Sequence, residues 1–385
     1  MASSELSMLQ SLKIRLLCRG ISVSPAAERA LTLSGKVPMS VHEYPTTGGL
    51  TLLLEDNVYV NTPFDEPIVG DPEATLLFDE GDEVSFRVLF HKEEFPARVL
   101  PLPGYLFAKD SQGRLVTEAV FSHADRARLS PVGGCHNRCC FCNAPLKKYE
   151  LRPVVQLMEA LTIAEADTVL PVHHIVISGG TPKPDDCNYF SEVCEAIIGS
   201  TTMPVDVMMP PRRDTKIIDQ LSGLGVYGFA INLELYDEEI ARHIAPQKRG
   251  LGLQKFRETL ERAMECTGGR GRVRSLLLVG LEPEEDTLQG VEFLAKLGCD
   301  PVLSPFRPGL GTPLAKHLGP SYELLESVYL RSLDIVEHYG VKLGPRCIPC
   351  THNTLTFDDQ SGAYYFSQEL QWSNRNPIDG RDCRR

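Results

Sequence analysis

Four cysteines fall within one short run of this chain, Cys135-His-Asn-Arg-Cys139-Cys140-Phe-Cys142. Cys135, Cys139 and Cys142 are separated by three and two residues, so their thiols can converge from a single loop. Three thiolates can hold an iron–sulfur cube and leave one iron without a protein ligand. An open iron is a site for chemistry, whereas four thiolates would suit electron storage.

Two other uses of these thiols compete with a cluster. A disulfide framework is typical of small secreted chains, and this chain has 385 residues and no visible export signal. A structural zinc ion is usually held by four ligands, often two cysteine pairs, and no second pair follows nearby. His136 adjoins the first cysteine, where its ring is badly placed to be a fourth ligand. The spacing therefore favours a cluster.

The loop, with Phe141 before its last thiol, resembles that of the radical S-adenosylmethionine (SAM) superfamily. The resemblance implies a [4Fe-4S] cluster on Cys135, Cys139 and Cys142, with SAM chelated to the open iron. It also implies reductive cleavage of SAM to a 5′-deoxyadenosyl radical, with flavodoxin or ferredoxin as the electron donor. Phe141 is then expected beside the cofactor. Using Cys140 as a ligand would give spacings that the family does not use.

The order of predicted elements places this loop on a barrel. Strand-like runs lie at 128–132, 174–178, 205–209, 227–233, 273–279 and 302–306, with helix-like segments at 154–166, 190–198, 253–266, 286–297 and 322–339. Strands that alternate with helices predict an α/β fold, a partial, TIM-like (β/α)6 barrel. Active sites of such barrels lie at the C-terminal ends of the strands. The cysteine loop follows the first strand, as an active-site loop should.

Three regions are predicted along the chain. Residues 1–115 are a β-rich N-terminal module, with a hairpin signal at Glu55-Asp56-Asn57. The barrel occupies residues 116–345. Residues 346–385 are a C-terminal extension that carries a CxxC pair and is expected to fold over the mouth of the barrel.

Residues that follow the second and fourth strands are expected to contact SAM. Gly179-Gly180-Thr181 resembles the family segment whose backbone meets the amino group of SAM, with threonine in place of the usual acidic residue. Asn232-Leu233-Glu234 is similar to a segment of lipoyl synthase-like enzymes. Glu234 is expected at the ribose or methionyl end of SAM, or beside a basic neighbour, or as the cap of the next helix.

Four more residues are cofactor-binding candidates by the same resemblance. Arg242 can pair with the SAM carboxylate through its planar fork, or lie on the surface. Gly280 and Glu282 end a run that resembles the strand beside adenine. Arg307 lies in a segment that resembles the last strand of biotin synthase-like members, where it would recognise a substrate carboxylate or phosphate.

The pair Cys347-Ile-Pro-Cys350 has three interpretations. It can hold an auxiliary cluster, together with Cys383 or Cys18. One of its thiols can donate a hydrogen atom to a substrate radical, or the pair can be inert. We favour a position near the mouth of the barrel, where the pair would face the substrate and have a catalytic role.

Composition narrows the substrate class. The net charge of −12 and the lack of a basic stripe argue against a nucleic-acid partner. No apolar run reaches membrane-spanning length, so we expect a cytoplasmic protein that acts on a small molecule without membrane attachment. Two alternatives stay open: a peptide-modifying or sulfur-inserting radical SAM enzyme with an auxiliary cluster, and a non-catalytic iron–sulfur or zinc sensor or scaffold.

Overall fold

The N-terminal part of the chain is a six-stranded sheet with two helices. The computed structural model describes residues 5–33, 48–64, 71–79, 85–269 and 271–357. The elements are α1 (Met8–Arg19), β1 (Ser22–Val23), α2 (Pro25–Leu33), β2 (Leu50–Leu54), β3 (Val58–Thr62), β4 (Ala74–Asp79), β5 (Ser85–Phe90) and β6 (Glu93–Val99). The strand order is β1-β4-β5-β6-β2-β3. The turn at Glu55-Asp56-Asn57 joins β2 and β3 as an antiparallel hairpin, as predicted.

The rest of the chain builds a curled, mostly parallel sheet. Its elements are β7 (Val120–His123), β8 (Arg126–Leu129), β9 (Val132–Gly133), β10 (Glu150–Leu151), α3 (Val154–Glu165), β11 (His174–Ile177), α4 (Cys187–Ser200), β12 (Val205–Met208), α5 (Lys216–Gly223), β13 (Gly228–Ala230), α6 (Glu238–Ile244), α7 (Pro246–Arg249), α8 (Gly252–Thr267), β14 (Val273–Val279), α9 (Glu284–Lys296), β15 (Asp300–Pro305) and α10 (Tyr322–Tyr339). The strand order is β15-β14-β13-β12-β11-β8-β7, and only the β7–β8 pairing is antiparallel.

Six parallel strands with helices between them confirm the predicted partial (β/α)6 barrel. The strands of such a sheet are covered on both faces, so they are runs of apolar residues without alternation. β11 is the clearest case, because all four of its residues are buried. Two helices, α5 and α7, have no counterpart among the predicted segments, and α7 has only four residues, too short to show helical periodicity. α6 begins at Glu238, where the next helix after Glu234 was expected.

An incomplete barrel leaves two strand edges that need partners. At one edge, Leu355 donates its backbone N–H to the carbonyl of Leu303 in β15, at 2.8 Å. At the other edge, Nε2 of His352 lies 2.8 Å from Nδ1 of His123 in β7. The C-terminal segment therefore runs along the open side of the barrel and joins its two edges. The prediction that the extension covers the mouth is corrected for residues 346–357, since the free edge of β15 offers backbone partners; residues 358–385 lie outside the described part.

The N-terminal module and the barrel share one hydrophobic core. A single cluster of buried side chains includes Leu52 of β2 and Leu303 of β15. Lys13 of α1, which is fully buried, donates to the carbonyls of Thr351 and Thr356 at 3.0 and 2.6 Å. None of the helices among the described residues is long and apolar enough to cross a membrane.

Candidate functional site

The cysteine loop grows from a short antiparallel ladder just beyond the C-terminal end of β8. β9 and β10 pair Gly133 with Glu150 and Val132 with Leu151, which closes the base of the loop. Gly134 follows with a positive φ of 64°, a conformation that favours glycine. A Cβ at Gly134 would come within 2.7 Å of the carbonyl oxygen of Lys147. The β9–β10 ladder thus fixes both ends of the loop, on either side of the cysteines.

The segment after β11 holds the first cysteine of the loop. The backbone N–H of Thr181 donates to Sγ of Cys135 at 3.2 Å. The carbonyl of Thr181 accepts the N–H of His136 at 2.9 Å, and its hydroxyl accepts the side-chain N–H of Asn137 at 3.0 Å. Backbone N–H groups that point at a thiolate sulfur stabilise its charge and tune a bound metal.

Gly180 is required here by the loop itself. A Cβ at Gly180 would lie 1.7 Å from the carbonyl oxygen of Gly134 and 3.1 Å from Cα of Cys135. No side chain fits at that distance, so the close approach of two backbones explains this glycine. Gly179 is exposed and has a φ of 109°, and its nearest neighbour is Ser130.

The other face of the loop packs against the later strands. The N–H of Cys140 donates to the carbonyl of Ile244 at 2.8 Å, and its thiol points at the carbonyl of His243 at 3.6 Å. Phe141 is partly buried and packs on an apolar cluster that includes Leu235, Leu278 and Phe306. Phe141 therefore anchors the loop, and the thiol of Cys140 faces α6.

The three spaced thiols suit a cluster by their chemistry. Sγ of Cys142 accepts the N–H of Ala144 at 3.4 Å, which complements the bond from Thr181 to Cys135. Burial raises the pKa of the Cys139 thiol to about 12, and the neighbouring thiols add to the rise. Burial also raises the pKa of Cys142. A bound cation removes this penalty, because it binds the thiolate form directly. The donor set fits a [4Fe-4S] cluster with one open iron.

A buried ion pair stands beside these thiols. Nζ of Lys248 lies 2.5 Å from Oε1 of Glu234, and the two side chains are 14% and 9% exposed. Burial alone lowers the pKa of Lys248, but the carboxylate of Glu234 and the thiol of Cys139 outweigh it and raise that pKa. Glu234 itself follows β13, has a φ of 69° and forms an isolated bridge with Leu277 of β14. Such strain in a non-glycine residue is common at functional sites.

Three features lie at the C-terminal ends of the strands. They are the cysteine loop, the segment after β11 that bonds to Cys135, and the Glu234–Lys248 pair. Residues 129–297 match the family model described as the radical SAM superfamily. This part of the chain is a radical SAM domain. The matched range begins at the last residue of β8 and ends just after α9, so it contains four complete parallel strands, β11 to β14.

Solved structures of radical SAM proteins also align with this chain. A radical SAM methyltransferase from Sphaerobacter thermophilus aligns at 17% identity and a TM-score of 0.45, over 83% of this chain and 81% of that one. Methylornithine synthase (PylB) aligns at 17% identity and a TM-score of 0.44, over 66% and 77%. The hydrogenase maturase HydG of Carboxydothermus hydrogenoformans aligns at 18% identity and a TM-score of 0.42, over 57% and 54%. The aligned region spans just over half the length of the hydrogenase maturases. None of the curated proteins compared with the chain matches it.

Two of the residues predicted to bind SAM lie in the turn after β14 of this radical SAM domain. Gly280 has a φ of 106°, and a Cβ there would come within 2.9 Å of Pro320. Glu282 is buried, and its carboxylate accepts the N–H groups of Tyr236 and Asp237 at 2.8 and 2.9 Å. Burial raises the pKa of Glu282 to about 7, against the effect of those N–H donors. Glu282 thus holds the turn that leads from Glu234 into α6.

The two predicted arginines pair with residues outside the cysteine loop. The guanidinium of Arg242 is 60% exposed and pairs with Glu238 one turn earlier on α6. Arg307 is buried, and it donates to the side chain and the backbone carbonyl of Asn61 at 2.8 and 3.0 Å. Arg307 therefore links the end of β15 to the N-terminal sheet. The expected contacts of these arginines with SAM or substrate find no support in this geometry.

The CxxC pair lies at the opposite end of the barrel from the cysteine loop. Sγ of Cys347 is 3.3 Å from Oδ1 of Asp125, which precedes β8. Sγ of Cys350 is 3.4 Å from Nε2 of His174, the first residue of β11. Both contacts are at the N-terminal ends of the strands, so the predicted position near the mouth is corrected. The backbone hydrogen bond from Leu355 to Leu303 holds the C-terminal segment along the free edge of β15 and so keeps the pair away from the mouth.

Sequence reasoning missed two parts of this arrangement. Lys248 lies in the short α7, and only its place fourteen residues after Glu234 could have suggested a pairing. His174 is a polar residue at the start of the apolar strand β11, a signal that marks a buried polar group in need of a partner, whereas Asp125 precedes the arginine-containing β8 and carries no such signal.

Proposed function

We propose that the chain is a radical SAM enzyme that acts on a small molecule. A [4Fe-4S] cluster with bound SAM would supply an electron that splits the sulfonium and starts radical chemistry. Cys135, Cys139 and Cys142 would hold the cluster. The observation that carries the proposal is the fixed loop of three partly buried thiols, two of which accept backbone N–H bonds, at the C-terminal edge of a half-barrel.

The groups around the loop would position SAM. The exposed backbone at Gly179 leaves room for a ligand, as in the family segment that meets the amino group of SAM. Lys248 is a cation within the site, and a carboxylate is its natural counter-ion, so we assign it to the methionyl carboxylate of SAM. Glu234 would hold Lys248 in place and offer its second oxygen to the methionyl amino group or to the ribose.

The substrate class follows from charge and composition. The net charge of −12 opposes a phosphate backbone, which favours a small molecule over nucleic acid. The electron would come from a flavodoxin or a ferredoxin. A peptide-modifying radical SAM enzyme would use the cysteine loop in the same way. The two candidate functions differ only in the class of substrate.

Anaerobic incubation of the reconstituted chain with dithionite and SAM tests the proposal. Formation of 5′-deoxyadenosine, absent in the Cys139→Ala variant, is the expected result. A chain that binds iron but leaves SAM intact would be a sensor or scaffold instead. A variant of Cys194, a cysteine buried in α4 away from the loop, is the matched control and should keep full activity.

A further inference from the structure

Four potential metal ligands meet at the N-terminal end of the barrel, outside the site described above. They are Asp125, His174, Cys347 and Cys350; all four are buried, and one ligand atom from each lies within 4.8 Å of the others. Cys347 and Cys350 open the turn at Pro349–Asn353 of the C-terminal segment, whereas Asp125 and His174 belong to the barrel. Two distant parts of the chain thus contribute two ligands each.

The distances match a single ion better than a cluster. Sγ of Cys347 is 3.3 Å from Oδ1 of Asp125, and Sγ of Cys350 is 3.4 Å from Nε2 of His174 and 3.9 Å from the same carboxylate oxygen. Ligand atoms about 2.0–2.3 Å from a tetrahedral zinc ion lie roughly 3.3–3.8 Å from one another. The thiolates of an iron–sulfur cluster lie farther apart, because they surround several irons and not one ion.

The surroundings point to a ligand as well. Oδ2 of Asp125 is buried and accepts no hydrogen bond from any residue that the structure describes. Nδ1 of His174 and Nδ1 of His173 lie 3.8 and 4.0 Å from this oxygen, beyond hydrogen-bond distance. A buried carboxylate oxygen without a hydrogen bond is costly. A cavity lined by His174, Cys347, Cys350 and the arginines 126, 274 and 346 adjoins the group.

We propose that Asp125, His174, Cys347 and Cys350 bind one structural zinc ion. Two thiolates, an imidazole and a carboxylate are ligands that zinc accepts in tetrahedral geometry, and four protein ligands close the site to chemistry. The ion would fasten the C-terminal segment across the open side of the barrel. It would also be separate from the cysteine loop, since β11 alone puts about 10 Å of extended chain between His174 and Ile177.

Metal analysis of the full chain, purified without reconstitution, tests this site. We expect about one zinc per chain in the wild type. The zinc should fall at least tenfold in Cys347→Ser and His174→Ala, and it should stay in Cys139→Ala, which removes a ligand of the other site. The control Cys194→Ser changes a buried cysteine outside both sites and should keep its zinc.

Zinc X-ray absorption on the wild type decides the matter even if the ligand variants fail to fold. Two sulfur and two nitrogen or oxygen neighbours are expected. A wild type without zinc, or zinc that persists in Cys347→Ser, would overturn the proposal. So would about eight irons per chain, halved in Cys347→Ser, since that result assigns the pair to an auxiliary cluster. A Cys347–Cys350 disulfide in the purified chain would also exclude it.

Discussion

The backbone N–H of Thr181 donates a hydrogen bond to Sγ of Cys135 at 3.2 Å. The turn after β11 thus contacts a thiol that follows the neighbouring strand β8. Three contacts from Thr181 reach the residues 135–137. The Gly-Gly-Thr segment is therefore part of the structure that holds the cysteine loop. Because the segment holds the cysteine loop and is also expected to contact SAM, substitutions in it should affect both the cluster and SAM binding.

Alanine substitutions should separate the ligand cysteines from their neighbour. Cys135→Ala, Cys139→Ala and Cys142→Ala should each lose most of the roughly four irons expected of one cube and the absorbance of thiolate-bound iron. Cys140→Ala should keep both, because its thiol faces the carbonyl of His243. Iron analysis after anaerobic reconstitution measures this. Retention of iron by Cys139→Ala together with its loss in Cys140→Ala would reverse the ligand assignment.

Gly180→Ala should disturb the cluster as well as SAM binding. The added Cβ would lie 1.7 Å from the carbonyl oxygen of Gly134, so the cysteine loop must move. We expect iron content to fall severalfold. Gly199→Ala, at a helical position with no atom within 4 Å of the new Cβ, is the control and should keep its iron. Normal iron with weak SAM binding in Gly180→Ala would show that the glycine serves the cofactor alone.

Lys248→Met should weaken SAM binding at least tenfold. The variant removes the proposed partner of the SAM carboxylate and leaves Glu234 buried without its counter-ion, which costs about 3–5 kcal/mol of stability. Arg242→Ala removes an exposed arginine on α6, and it should change SAM affinity little. Calorimetric titration of the cluster-loaded protein with SAM measures both.

A double variant separates stability from binding at this pair. Glu234→Gln combined with Lys248→Met restores a neutral pair and should recover much of the lost stability, but SAM affinity should stay low. Recovery of both would mean that Lys248 contributes only to the fold.

Glu282 should make stability fall as pH rises from about 4.5 to about 7. Burial raises the pKa of Glu282 from 4.5 to about 7, so the folded protein binds this proton more tightly than the unfolded chain. Its contribution is complete below pH 4.5 and is lost as pH rises through 7, by about 3 kcal/mol in total. Glu282→Gln should lack this component. Denaturant unfolding of both proteins at several pH values measures the difference, and parallel pH profiles would contradict it.

Arg307→Ala should destabilise the fold. Arg307 makes two hydrogen bonds to Asn61 and one to Gly48, and its loss should cost about 3 kcal/mol because buried acceptors lose a charged donor. Arg98→Ala removes an exposed ion pair with Asp56 and should cost under about 1 kcal/mol. Equal free energies of unfolding for these two variants would disprove the structural role.

The parts of this fold that could be predicted from sequence are those set by local pattern. The buried strands, the longer helices and the cysteine loop follow from apolar runs, periodicity and spacing, and the structure contains them. The partners of Arg307 and of the CxxC pair depend on contacts between residues more than 170 positions apart. Nothing near Cys347 in the sequence indicates that the edge of β15 will draw it away from the mouth. Lys248 was missed for a different reason, since a four-residue helix has no readable periodicity.

The shared core has a consequence for proteolysis. Side chains of the N-terminal sheet and of the barrel pack in one cluster, and Lys13 of α1 donates to the last described segment. The two parts are therefore not independent domains joined by a linker. A single cut in the connection that follows β6 should leave two fragments that stay together through gel filtration and separate only in denaturant. Neither fragment should refold alone, since each would present to water a face that the other now covers.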